Sequence, residues 1–254
     1  PYDENVSYRK GAKDGPAAIR ETPAPIPPTT EYFEDISALR VADLGDIEGE
    51  SCKEVFDKAE KLTEELVRAG KFFTMIGGDH SVTIPVLRGI DKAVDENFGV
   101  IHIDAHFDLC DSLEGSKVSH GCTERRASEL KHVGGSDNLF FIAIRSAELD
   151  ELEFMKNNPV HVISAAEFDR IGAEQTVEAV KKQLGHLKKI YITVDIDCLD
   201  PAYAAGTGTP KFGGLTSRQL LNLLRGLFES LPVIGFDVVA VSYTHLTLPT
   251  KLEV

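Results

Sequence analysis

The sequence predicts an α/β fold built on a mostly parallel sheet, and three observations predict it. Short apolar runs alternate with amphipathic stretches along the chain, the βα rhythm of a parallel sheet. Several of the runs are β-branched or apolar almost throughout, as strands covered on both faces are. A length of 254 residues with 42% hydrophobic side chains suits one large domain with a sizeable core.

Strands are expected near 38–43 (ALRVAD), 72–76 (FFTMI), 99–103 (GVIHI), 138–144 (NLFFIAI), 159–163 (PVHVI), 190–194 (IYITV) and 233–239 (VIGFDVV). Between them the helices announce their starts. Ser51 and Glu54 have capping-box spacing ahead of a stripe of Phe56, Ala59, Leu62 and Leu66. Thr216 and Gln219 repeat that spacing before Leu220, Leu223, Leu224 and Leu227. Gly70 stands where a C-terminal cap belongs. The Pro-rich stretch at 23–28 reads as a surface loop.

Charge and cysteine usage exclude several functions. A formal charge of −14, from 41 acidic against 27 basic side chains, repels phosphate backbones and excludes nucleic acid as a partner. It favours the approach of a small cation. No apolar run approaches the roughly 18 residues that span a bilayer, so no membrane partner is expected. Cys52, Cys110, Cys122 and Cys198 form no CxxC pair and read as reduced thiols of a cytoplasmic protein.

Three polar clusters directly follow three of the strands: Gly77-Gly78-Asp79-His80, Asp104-Ala105-His106-Phe107-Asp108, and Asp195-Ile196-Asp197. In a parallel sheet such groups converge on the carboxyl edge, where ligands bind. Extended chain would put Asp104, His106 and Asp108 on one side, and Asp195 with Asp197 likewise. Four carboxylates aimed at one crevice repel one another unless cations neutralise them, and two divalent ions would do so. Carboxylate and imidazole ligands suit Mn²⁺. GGDH alone fits a tight turn, and DxD alone is weak. All three after apolar strands point to a binuclear metal site.

On these clusters and on GAKDGPAAIR (11–20), IGGDHSVTIPVLRGI (76–90), IHIDAHFDLCD (101–111), SHGCTERR (119–126) and VDIDCLDPAYAAGTGTPKFGGLTSRQLL (194–221), the chain resembles the ureohydrolases, the family of agmatinases and arginases. The resemblance implies an arginase-like fold, a three-layer α/β/α sandwich around about eight mostly parallel strands. It implies two Mn²⁺ ions per subunit, with Asp104 and Asp195 bridging both. His80 and Asp108 would complete one ion's ligands, and His106 with Asp197 the other's. His120 and Asp108 become the catalytic residues, and His120, Gly208 and Thr209 the substrate contacts. The implied reaction converts agmatine and water to putrescine and urea, in a cytoplasmic homo-oligomer, trimeric or hexameric.

The pattern also departs from the family. Where a D-V-V-E-V run usually carries a guanidinium-binding glutamate, Asp237-Val238-Val239-Ala240-Val241 carries alanine. Losing that carboxylate should cost roughly 2–5 kcal/mol of binding. Ser146 and Cys110 stand where an arginase ordinarily has Asp and Asn for its α-amino and α-carboxyl groups, which favours agmatine or guanidinobutyrate. Formimidoylglutamase is the alternative suggested by HFDL, although that enzyme usually lacks a histidine at the place of His120. An impaired family member serving as a binding or structural subunit is a second alternative. Residues 1–241 are expected to be the catalytic domain, lacking its first strand, and 242–254 a tail foreign to the family, a remnant of assembly.

Overall fold

Six of the seven expected strands form, and they lie side by side in one sheet. The structure, a computed structural model, describes residues 1–21 and 27–242. The strands are β1 (Phe73–Ile76), β2 (Gly99–Ile103), β3 (Leu139–Ile144), β4 (His161–Ser164), β5 (Ile190–Asp195) and β6 (Val233–Val239). Their order is β1-β6-β5-β2-β3-β4, and every neighbouring pair is parallel.

Residues 38–43 do not form the expected strand, so the described sheet has six strands and not eight. Leu39 and Val41 are exposed, and nothing pairs with their backbone as a ladder. The apolar letters there had no sheet to enter. The expected first strand would precede Pro1, and the expected foreign tail spans 242–254; the strand, residues 243–254 of the tail and residues 23–26 of the Pro-rich loop lie outside the described residues, while Ser242 is buried with its amide on the Gly206 carbonyl.

Alternation along the strands splits the core in two. Ile101, Ile103, Phe140, Ile142 and Ile192 pack on one face with α6 (Ala165–Leu184) and α7 (Ser217–Ser230), through Phe168, Val180, Leu223 and Leu227. Val100, Leu139, Phe141 and Tyr191 pack on the other face with α3 (Thr83–Ala93), α4 (Thr123–Ser128) and α5 (Leu149–Asn157). α2 (Cys52–Arg68) packs against α3 as an outer helix. Helices on both sides of a parallel sheet make the expected α/β/α sandwich.

The caps follow the sequence signals. Thr216 and Gln219 form a full capping box on α7. Ser51 accepts from the Glu54 amide, while the Glu54 carboxylate reaches the Glu50 amide one residue further out. Gly70, with φ 63°, follows the last turn of α2 in the left-handed conformation expected of a C-terminal cap. No helix among the described residues is long and apolar enough to cross a membrane.

The chain leaves the centre of the sheet in both directions from β2 and β5, which are neighbours. Their carboxyl ends therefore flank the point where strand order reverses, the place where open α/β sheets build their crevice.

Candidate metal centre and cleft

All three sequence clusters reach that crevice, but by turns and not by extended chain. Asp104 Oδ1 accepts the His106 amide at 2.7 Å, and Asp195 Oδ1 accepts the Asp197 amide at 2.8 Å. Residues 196–198 form a 3₁₀ turn, and Asp108 is left-handed at φ 54°. The expected period of two is thus replaced by side chain–backbone turns, which Asp makes readily. Asp108 is held there because its carbonyl accepts the Glu124 and Arg125 amides at the start of α4.

β1 lies two strands away from β5, and a glycine pair carries its cluster across. A Cβ on Gly78 would sit 1.7 Å from the Tyr2 carbonyl oxygen, so only glycine allows this close approach. Asp79 then caps the turn by accepting from Ser81, and His80 swings over the sheet to Thr193 on β5.

His80 is the most informative side chain. Its Nδ1 lies 3.0 Å from Asp104 Oδ2, 3.1 Å from Asp108 Oδ2 and 3.4 Å from Asp195 Oδ2. Yet this buried nitrogen makes no hydrogen bond. Its partner nitrogen explains why. Thr193 Oγ1 donates to Asp237 Oδ1 at 2.6 Å, so at 2.8 Å it must accept from His80 Nε2–H. Nε2 therefore bears hydrogen, and Nδ1 is the nitrogen turned toward the carboxylates. Asp237 also accepts from Thr83 and Tyr191, and its carboxylate is fully buried behind the site.

Asp104 belongs to two groups. With His80 and His102, and again with His106 and Asp197, it offers ligand atoms that all lie within 4.8 Å of one another. His106 Nδ1 is 3.3 Å from Asp104 Oδ1 and 3.2 Å from Asp197 Oδ2. Thr209 Oγ1 donates to Asp197 Oδ2 at 3.1 Å.

The electrostatics call for positive charge here. Burial disfavours charging His80, yet the Asp104, Asp108 and Asp195 carboxylates raise its pKa well above the ordinary value. Burial opposes His106 too, and Asp104 and Asp197 overcome it, raising its pKa to about 11. Asp195 is pushed well above the ordinary carboxyl range by burial and by the charges of Asp197 and Asp104. A divalent cation answers all three demands better than protons do. The nitrogen and oxygen donors, with an unpartnered buried Nδ1 on His80, fit Mn²⁺ or a similar ion.

A cleft of about 380 Å³ opens over the cluster. Its lining includes His106, Asp108, His120, Gly208 and Thr209, while His80, Asp104, Asp195 and Asp197 are buried beneath. His120 Nε2 accepts the Ser7 amide at 3.1 Å and lies 2.8 Å from the Ser7 hydroxyl. The N-terminal segment is laced to both site loops. Tyr2 O accepts the Asp79 amide, Asn5 N donates to Asp79 Oδ2, and Asn5 O accepts from His120 N and Ser119 Oγ.

Other singled-out residues fall outside the chemistry. Ala240 does not line the cleft; it sits at φ 61° with its amide on the Gly78 carbonyl. Burial pushes the thiols of Cys110, Cys122 (to about 11) and Cys198 up, which disfavours the thiolate form. The sequence reading passed over Thr193, Asp237, His102, Glu124 and Ser7. Two of these had a signal: His102 and Thr193 stand two residues before Asp104 and Asp195, on the same strand face.

Comparison with known proteins places this geometry. A profile of the arginase family matches residues 1–246. The chain is 37% identical over 259 residues to proclavaminate amidinohydrolase of Streptomyces clavuligerus, covering 96% of this chain and 80% of that protein. It is 36% identical over 252 residues to an agmatinase of Bacillus subtilis strain 168, covering 96% and 83%. The crystal structure of the agmatine ureohydrolase of Thermoplasma volcanium superimposes with a TM-score of 0.84 at 32% identity, covering 96% of this chain and 80% of that one. The chain belongs to the arginase family, hydrolases that act on the C–N bonds of guanidino compounds.

Proposed function

We propose that the protein hydrolyses agmatine to putrescine and urea with two Mn²⁺ ions. The observation that carries this reading is His80 Nδ1, buried without a hydrogen-bond partner and facing three carboxylates, beside a second group that shares Asp104. Two divalent cations held by His80, Asp104, His106, Asp108, Asp195 and Asp197 would supply a water-derived nucleophile near neutral pH.

The chain's own residues do the rest. Asp108 and His106 line the cleft that would take the guanidinium. Gly208 and Thr209 form part of its wall, and Thr209 steadies Asp197. His120 stands in the wall to pass a proton to the departing amine. That placement weighs against the formimidoylglutamase alternative.

Glu148 lines the cleft as well and suits the far ammonium of a dication such as agmatine. Arg9 and Lys211 also line it and favour a second reading, a guanidino carboxylic acid. The relative named for proclavaminate is consistent with that second reading. Urea release by the Mn²⁺-loaded protein from agmatine, arginine and 4-guanidinobutyrate decides between them. Agmatine should give the highest kcat/KM; a higher value for guanidinobutyrate selects the second reading, and no urea from any of the three removes both.

A further inference from the structure

His102 looks like a seventh ligand and is built to be something else. Its ring is fully buried, stacked on His80 at 5.1 Å with the planes 4° apart, and tilted against Phe141 on the other side. Nε2 lies 3.0 Å from the His106 carbonyl oxygen and 3.3 Å from Asp104 Oδ2. Both of those oxygens only accept, so Nε2 bears hydrogen and has no lone pair for a cation. His80 differs: its Nδ1 has no hydrogen-bond partner and faces three carboxylates.

The other ring nitrogen meets Glu124. Nδ1 is 3.2 Å from Glu124 Oε1, and that carboxylate is itself fully buried, with Oε2 lacking any hydrogen-bond partner. Burying a carboxylate with a single partner costs free energy that ordinary packing does not return. Its one contact fixes the orientation of the His102 ring, and so aims Nε2–H at Asp104.

We propose that Glu124 and His102 form a positioning pair that sets metal affinity by orienting the shared ligand Asp104, with His102 itself coordinating nothing. The Asp104 carboxylate is then steadied at both oxygens, Oδ1 by the His106 amide and Oδ2 by His102. Ligating carboxylates depend on such outer hydrogen bonds for their geometry. The pair acts on both ions because Asp104 belongs to both groups; this rests on the two-cation reading above.

The test is equilibrium Mn²⁺ binding to the full chain, following free Mn²⁺ by electron paramagnetic resonance, in wild type, His102→Phe, Glu124→Ala and Glu124→Gln. Wild type should take up two ions. His102→Phe keeps a ring between His80 and Phe141, and it and Glu124→Ala should still saturate at two ions with Kd weakened about 10–100-fold. Glu124→Gln, whose amide oxygen still accepts from Nδ1, should bind close to wild type. A purely structural pair would instead lower the melting temperature of the chelator-treated protein and leave Kd alone. Saturation of His102→Phe at one ion makes His102 a ligand and overturns the proposal. Wild-type Kd in both His102→Phe and Glu124→Ala, or Glu124→Gln as weak as Glu124→Ala, overturns it while leaving the two-cation reading standing. Wild type binding no Mn²⁺ overturns both.

Discussion

His80 Nε2 and Thr193 Oγ1 meet at 2.8 Å, and that bond decides which nitrogen of the ring faces the carboxylates. Register makes it possible: Thr193 pairs across the sheet with His102 on one side and Asp237 on the other. Asp237 accepts from the threonine hydroxyl, the threonine oxygen accepts from His80 Nε2–H, and Nδ1 is left to face the carboxylates.

Thr193→Val should therefore weaken Mn²⁺ binding about 10–100-fold, because the ring loses the acceptor that fixes its tautomer. Thr193→Ser should retain most of the affinity. A metal titration in which the valine variant matches wild type would remove Thr193 from the design of the site.

Asp104→Asn should reduce bound metal below that of Asp108→Asn, since Asp104 belongs to two ligand groups. Asp195→Asn should also lose at least one ion. Elemental analysis after gel filtration checks this, and two tightly held ions in either bridging variant would contradict the assignment.

His120→Asn should lower kcat about 10²–10⁴-fold while keeping wild-type metal content, if the residue passes a proton and holds no cation as proposed. The measurement is kcat against pH with metal analysis on the same samples. Unchanged kcat, with chemistry shown to limit the rate, takes His120 out of the mechanism.

Glu151 supplies a pH prediction. Burial raises its carboxyl from an ordinary value of 4.5 to about 7, against the opposing pull of the Glu148 and Leu109 amides. Between those two pH values the folded chain holds more of this proton than the unfolded chain. Stability from this group is therefore present below about pH 4.5 and is lost as pH rises to about 7. In Glu151→Gln that slope should vanish. Urea denaturation of both proteins from pH 4.5 to 8, with chelator present throughout, should show wild type losing stability relative to the variant over that window. Parallel curves would mean that Glu151 titrates normally.

The parts of this molecule written into local sequence were those that rest on local physics. Apolar runs gave β1 to β6, and the spacing of Thr216 and Gln219 gave the start of α7. ALRVAD at 38–43 had the same apolar character but no neighbour to pair with, and pairing is a property of the whole sheet. The site was legible where polar residues end strands, at His80, Asp104 and Asp195. It was illegible where a role depends on a distant partner. Asp237 reads as one more strand residue until Thr193, Tyr191 and Thr83 converge on it. Glu124 reads as a surface helix residue until α4 is folded against β2.

The lacing of residues 2–7 across the Asp79-His80 turn and the His120 loop has a kinetic consequence. The Ser7–His120 contact joins positions 113 residues apart, so residues 2–7 find these partners only once the distant His120 loop is in place. The sheet between β1 and β6 can form without it, since none of the strand pairings involves these residues. Folding should thus pass through a species with its parallel sheet in place and its cleft unfinished, and closure of this one long loop should set how fast refolded chains regain a seated His120.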